Sequence, residues 1–303
     1  MGVFEVWGFW GLVGKPEAQR RDKTVATGLF AYPLFLCPKA PMAFLKIATW
    51  NINSVRLRIE HVARFVAEAD PDVLCLQETK CRNEEFPTKA FVQMGLRHIH
   101  AVGQKGHHGV AIVSKHPMQR VQEPTFCPRS EARVAAATVK GVLIHNVYVP
   151  AGGDVPDMGS DKFTHKLDVL ERMRAHYEAA PARPLLLVGD LNIAPGEHDV
   201  WSHKQLLNVV SHTPVETEAL EKVRAAGGFT DWARQMNPDP AKLYSWWSYR
   251  SADWKTANKG RRLDHLWGSA ALKDACTEVK FHLDCRSWDK PSDHIPVTAR
   301  LKI

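Results

Sequence analysis

The sequence predicts an α/β fold in which two mixed β-sheets pack face to face and helices cover their outer faces. Short apolar runs rich in β-branched residues alternate with longer stretches of helical periodicity. Some runs are linked by helical segments and others by hairpins, which argues against an all-parallel sheet. Strands recur in every third of the 303-residue chain, and a hydrophobic content of 45% supplies ample core.

Leu45 to Trp50 reads as the first strand. Val55 to Ala67 reads as a helix, with Val55, Ile59, Val62, Ala63 and Val66 at helical spacing, and Pro71 separates it from the strand Val73 to Leu76. Gly109 to Ser114 is a further strand. Arg133 to Val139 and Val142 to Val149 form a hairpin about the turn Lys140-Gly141. Asp161 to Tyr177 is a helix with Phe163, Leu167, Leu170 and Met173 on one face. Pro184 opens the strand Leu185 to Val188, and the helix Glu216 to Ala226 is closed by Gly227-Gly228. Leu263 to Trp267, Thr277 to Leu283 and Ile295 to Leu301 complete the strands. No Gly-rich phosphate loop of the dinucleotide-binding or P-loop kind follows a strand.

Residues 1–41 read differently. Trp7, Phe9 and Trp10 precede the basic pair Arg20-Arg21, and a second apolar run, Leu29 to Leu36, is interrupted by Pro33. That run is shorter than the roughly 20 residues of a bilayer span, and apolar residues ahead of the charge do not make a signal peptide. Met42 leads directly into the first strand, so a single catalytic domain is expected over residues 42–303, preceded by a flexible or upstream-start extension. The six cysteines show no CxxC pair and no zinc spacing, which favours reduced thiols and a cytoplasmic protein. Cys75, inside an apolar run, reads as a small core residue. A net charge of +7 favours a polyanionic partner.

Six polar clusters hang on the ends of apolar runs: Thr49 to Asn53, Leu76 to Lys80, Val147 to Pro150, Gly189 to Asn192, Arg262 to His265 and Ser292 to His294. Burying an unpaired polar group costs roughly 1–3 kcal/mol. Six such strand ends together therefore argue for one shared site at a sheet edge. Glu78, Asn51, Asp190, Asn192, Asp264 and Asp293 offer hard oxygen ligands, which suit Mg²⁺ or Mn²⁺ better than zinc. His294 is the imidazole of the set, and Asp264 is a candidate to orient it. Asp190 can hold and activate a water, while Asn192, Asn51 and Tyr148 can donate to a phosphate oxygen. These parts fit metal-assisted hydrolysis of a phosphate ester. Taken singly, each also has a structural use: a strand-end turn for Asp190 and Asn192, a turn cap for Asp293, a core position for Tyr148. Trp50 and Trp267 read as core packing.

Longer segments carry a resemblance: Ile47 to Asn53, Leu76 to Lys80, Gly189 to Pro195, Tyr244 to Arg250 and Lys290 to Val297. From Leu45 to the C-terminus the chain resembles the exonuclease III type of AP endonuclease, within the endonuclease/exonuclease/phosphatase superfamily. The resemblance implies a four-layer α/β sandwich and a monomer with no membrane association. It implies Mg²⁺-dependent cleavage of double-stranded DNA 5′ to abasic sites, with 3′-end trimming in the same site and Mn²⁺ substituting for Mg²⁺. It further implies Glu78 as the principal metal ligand with Asn51 and Asp293 nearby, Asp190 as the water-positioning residue, and Asn192 with Tyr148 as phosphate contacts. His294 oriented by Asp264 falls at the scissile phosphate, and Trp246 and Leu263 fall on the wall of the pocket for a base-less sugar. Lys162 and Lys166, at the start of a helix beyond the Tyr148 loop, are expected to contact DNA phosphates. One position departs from the pattern: Ala151 follows Tyr-x-Pro where many relatives carry Asn or Gln. A lipid or inositol phosphodiesterase of the same superfamily is the alternative enzyme, and a non-catalytic scaffold is the alternative class. The segment Tyr244 to Arg250 and the basic balance favour DNA, and the complete set of polar residues disfavours a scaffold.

Overall fold

A strand that is covered on both faces needs no polar alternation, and the apolar runs of this chain are continuous for that reason. The computed structural model describes residues 43–251 and 253–303; the extension expected over residues 1–41, with its tryptophans and second apolar run, lies outside the described residues. The described residues form twelve strands: β1 (Phe44–Asn51), β2 (Val73–Gln77), β3 (His98–Val102), β4 (Val110–Ser114), β5 (Met118–Arg120), β6 (Val134–Val139), β7 (Val142–Tyr148), β8 (Leu185–Asp190), β9 (Thr230–Asp231), β10 (Asp264–Gly268), β11 (Cys276–Phe281) and β12 (Val297–Lys302). The α-helices are α1 (Ile59–Ala69), α2 (Thr88–Gln93), α3 (Asp161–Ala179), α4 (His203–Leu206), α5 (Pro214–Ala226), α6 (Trp232–Met236) and α7 (Trp254–Ala257).

The strands make two six-stranded sheets, ordered β11-β12-β1-β2-β4-β3 and β5-β6-β7-β8-β10-β9. Among the described strands only β1/β2 and β7/β8 pair in parallel, so both sheets are mixed. Side chains alternate across each strand. In β1, Leu45 and Ile47 point between the sheets, where they meet Val73, Ile112, Ile144, Val188 and Leu266. Ala48 and Trp50 point outward against Val62, Phe65 and Phe91 of the first helices. On the other sheet, Val147, Leu185 and Leu187 pack under Leu170 and Met173 of α3 and Leu220 and Val223 of α5. The result is the four-layer sandwich that the resemblance implied.

Some boundaries move for local reasons. The first helix begins at Ile59 rather than Val55, because the amides of Ser54 and Val55 donate to the carbonyls of Glu78 and Thr79 at 2.7 and 3.2 Å. Helix α5 begins earlier, at Pro214, where Thr213 and Glu216 form a capping box. Strand β3 was not foreseen; its His98-Ile99-His100 pattern is that of a partly exposed edge strand. Cys75, Trp50 and Trp267 are buried in the core as expected. No described helix is long and apolar enough to cross a membrane.

Topology brings the polar clusters together. The parallel pairs β1/β2 and β7/β8 end on the same edge of the sandwich, with Asn51 opposite Gln77 and Tyr148 opposite Asp190. Antiparallel β10 begins on that edge, with Asp264 opposite Asp190. Beneath them a buried polar link joins the two sheets: Gln77 Nε2 donates to Asn146 Oδ1 at 2.6 Å, and Asn146 Nδ2 donates to the carbonyls of Leu76 and Ala111 at 2.9 Å. Gly189 has φ +134°, and a Cβ there would lie 1.9 Å from the Val147 carbonyl oxygen. Only glycine allows β8 to run this close to β7 just before Asp190.

Candidate active site

Asp190 lies at the centre of this edge and is buried. Its Oδ2 accepts from Asn51 Nδ2 at 2.9 Å and from Asn192 Nδ2 at 3.2 Å, and its Oδ1 accepts from the Asn192 amide at 2.9 Å. The Nε2 of His294 is 3.6 Å from Asp190 Oδ2, and its Nδ1 donates to Asp264 Oδ2 at 2.8 Å. Asp264 Oδ1 is buried with no hydrogen-bond partner. Burial pushes Asp190 up to about 7, with the Asp264 carboxylate adding to the rise and His294 opposing it. Burial alone would lower His294, but the carboxylates of Asp264 and Asp190 outweigh it and push the imidazole up to about 10. The cluster thus sets a carboxylate raised by burial beside an imidazole raised by its two carboxylate neighbours.

Glu78, half-buried, follows β2 with φ +50°, a backbone region that residues other than glycine occupy uncommonly. Its Oε1 accepts from Asn51 Nδ2 and from the Tyr148 hydroxyl, both at 2.9 Å, and its Oε2 faces Lys80 Nζ at 2.8 Å. Burial would raise Glu78, but Lys80 and the Asn51 amide hold it below its ordinary value. Burial, with Glu78 and Asp190 nearby, raises Tyr148 well above its ordinary value, so its hydroxyl stays a neutral donor. Asp293 receives the indole N–H of Trp246 at 2.9 Å and Asn53 Nδ2 at 3.1 Å.

The loop carrying His294 is pinned from β1. Ser292 Oγ donates to the Asn51 carbonyl at 2.7 Å, and Trp50 Nε1 donates to the His294 carbonyl at 3.1 Å. Ser245 Oγ accepts the amides of Leu263 and Asp264 at 2.9 and 3.0 Å and so seats the start of β10. Glu78, Tyr148, Asp190, Asn192, Trp246, Leu263, Asp293 and His294 line one cleft of about 780 Å³. Arg250, Lys259 and Arg261 line it too, and Trp246 and Leu263 form an apolar wall with Ala194 and Val200.

Residues 48–294 match the Endonuclease/Exonuclease/phosphatase family. The chain belongs to this family. An exodeoxyribonuclease III from Haemophilus influenzae is 31% identical over 272 residues, a match spanning 85% of this chain and 100% of that protein. An AP endonuclease from Archaeoglobus fulgidus superposes with a TM-score of 0.80 at 32% identity, covering 86% of this chain and 100% of that one. A 3′ phosphatase from Neisseria, bound to a product DNA hairpin, superposes with a TM-score of 0.75 at 35% identity, with the same coverage. These likenesses place the fold and the family.

One sequence expectation needs correction. Lys166 does not face the cleft: it is fully buried, paired with Glu216 at 2.5 Å, and donates to the carbonyls of Asn192 and Ala151 at 2.9 and 3.2 Å. It holds the loop that carries Asn192 and has no access to a phosphate. Asn51 meets the carboxylates through its amide nitrogen, while its Oδ1 accepts from the Asn53 amide at 3.1 Å. In this geometry its amide nitrogen holds the Glu78 and Asp190 carboxylates in place. Lys162 is exposed beside Gly153, which lines the cleft rim. The donor atoms of Asp190, Asp264 and His294 lie within 4.8 Å of one another, a spacing that can hold a metal ion. Asn53, Lys80, Trp50 and Ser292 were inside the quoted motifs but had no assigned role; Arg133, whose guanidinium lies 4.9 Å from the Tyr148 ring centroid, carried no signal at all.

Proposed function

We infer that this protein is a DNA repair nuclease that hydrolyses phosphodiesters, cutting double-stranded DNA 5′ to abasic sites and trimming 3′ ends. The observation that carries the reading is the geometry at Asp190: a buried carboxylate held by Asn51 and Asn192, beside a His294 that is itself held by Asp264. Asp190 takes a proton from water, which requires a carboxylate whose affinity for protons is close to the working pH. His294 keeps a charged N–H toward the phosphate because Asp264 stabilises its protonated form. Asn192 and Tyr148 direct neutral donors toward the same opening.

The donor set fits a hard divalent ion: Glu78 and Asp293 face the cleft with carboxylate oxygens, and no thiol lines it. Glu78 and Asp293 would hold Mg²⁺, with Mn²⁺ able to replace it. When bound, the ion supplies positive charge to the phosphate oxygens as negative charge builds. Arg250, Lys259 and Arg261 supply the electrostatic match to a polyanion. Trp246 and Leu263 offer an apolar surface that accepts a sugar without its base.

The test is a cleavage assay on an abasic duplex and a nicked duplex, with and without EDTA. Incision at the abasic site and shortening of the 3′ end, both abolished by EDTA, are the expected results. Hydrolysis of a phosphoinositide in the absence of either DNA reaction would overturn the reading.

A further inference from the structure

A second group of metal-ligating side chains converges behind the Tyr148 strand. Cys127 lies between β5 and β6, Glu131 just before β6, and His165 in the first turn of α3. Their ligand atoms all fall within 4.8 Å of one another. Cys127 Sγ stands 3.3 Å from His165 Nε2 and 3.7 Å from Glu131 Oε2. In a tetrahedral zinc site, with Zn–S near 2.3 Å and Zn–N or Zn–O near 2.0–2.2 Å, two ligand atoms stand about 3.6 Å apart. The two separations from Cys127 bracket that value, and the Glu131 and His165 ligand atoms lie within 4.8 Å of each other. Cys127 and His165 are buried and Glu131 is half-buried. The donor chemistry also differs from that of the cleft, since thiolate and imidazole select borderline-soft ions where carboxylates select hard ones.

We propose that Cys127, Glu131 and His165 form a Zn²⁺ site separate from the oxygen-rich cleft. The chain spacing hides it, because His165 is brought to Cys127 from another element. Burial lowers His165, which keeps its imidazole neutral and able to ligate.

Arg133 is one link between this site and the cleft, and His108, 3.7 Å from Glu131 Oε1 and beside the Tyr148 ring, is another. Glu131 Oε2 also accepts from Arg133 Nε at 2.5 Å, and Arg133 lies over the Tyr148 ring and donates from Nη1 to the Tyr148 carbonyl at 3.4 Å. An ion that draws on Glu131 weakens its hold on Arg133, and with it the seat of Tyr148. Zinc should therefore slow DNA cleavage, a consequence that rests on the nuclease reading above.

Co²⁺, a visible stand-in for Zn²⁺, tests the site when titrated into the full chain. A thiolate-to-cobalt charge-transfer band that saturates at one equivalent, is bleached by Zn²⁺ and is missing from a folded Cys127→Ser variant is the expected result. In His165→Asn the cobalt affinity should fall at least roughly tenfold. Absence of the band in the parent protein, or its persistence in Cys127→Ser, overturns the site. Should Cys127→Ser fail to fold, unchanged cobalt affinity in His165→Asn overturns it instead. At fixed Mg²⁺, zinc should inhibit cleavage by the parent protein more strongly than by Cys127→Ser, and equal inhibition overturns the link to Tyr148. A chain with no nuclease activity would refute the nuclease reading while the cobalt spectra still decide the site.

Discussion

Lys166→Met separates a buried structural lysine from a DNA contact. The ammonium is fully buried, with Glu216 Oε1 at 2.5 Å and the carbonyls of Asn192 and Ala151 at 2.9 and 3.2 Å. Methionine keeps most of the unbranched stem but leaves Glu216 charged and without its counter-ion. Removing one partner of a buried pair costs about 3–5 kcal/mol. Glu216 retains donors from the Ser211 amide at 2.9 Å and from Thr213 Oγ1 at 2.7 Å, which places the expected loss toward the lower end, near 3 kcal/mol. For a domain of this size that corresponds to a fall in Tm of roughly 6–12 °C. Urea denaturation should show a lower midpoint with an unchanged slope. Turnover should fall as well, because Asn192 loses the anchor on its carbonyl and holds Asp190 less firmly. The salt dependence of DNA binding should stay that of the parent protein. A lysine on a phosphate would behave oppositely, with stability within about 1 kcal/mol of the parent and a salt slope shallower by about 0.9. That second pattern would refute the burial argument.

Asp190→Asn should lower single-turnover cleavage on the order of 10²–10⁴-fold with DNA affinity nearly unchanged, since the amide fills the same space but takes no proton; near-normal turnover would move water activation to His294. Glu78→Ala should raise the Mg²⁺ concentration needed for half-maximal cleavage and be partly rescued by excess metal, and an unchanged metal requirement would remove Glu78 from the metal site. Trp246→Phe keeps the apolar wall but drops the indole N–H held on Asp293 at 2.9 Å, so it should raise the metal requirement alone. Trp246→Ala should also lose wall contact worth on the order of 1–3 kcal/mol and harm abasic incision more than 3′ trimming, whereas parallel loss with a falling Tm would mark a core role. Asp199→Asn tests the buried cluster in which Arg262 and Arg234 outweigh burial and hold the Asp199 carboxyl far below its ordinary value. Its stabilising contribution is complete above about pH 4, the unfolded value, and is lost as pH falls toward the depressed folded value. The stability gap between parent and variant, followed by denaturation against pH, should therefore narrow below about pH 4; a gap that stays constant would show that ionised Asp199 contributes nothing.

Much of this molecule was legible in one dimension. Strands buried on two faces are largely apolar, so Leu45 to Trp50, Val142 to Val149 and Leu185 to Val188 announced themselves, and the polar residues that end them stood out by contrast. Those ends named Glu78, Tyr148, Asp190, Asn192, Asp264, Asp293 and His294, all of which line or adjoin one cleft. Strands β3 and β5 escaped because edge strands bury only part of their surface and need no continuous apolar run. What the sequence determined by itself is the set of groups that a buried sheet edge would tolerate only if they serve each other. Tertiary structure alone decided which way each of them faces. Lys166 reads as a phosphate contact until Glu216, fifty positions on, closes over it. Asn51 reads as one polar residue of a strand end, and only the fold shows its amide nitrogen bridging Glu78 and Asp190. Trp50 reads as core until its indole N–H is found on the His294 carbonyl, 244 positions away. A side chain's charge and size are local properties, but its partner is set by which elements the chain packs beside it, and for buried polar groups the partner determines the role.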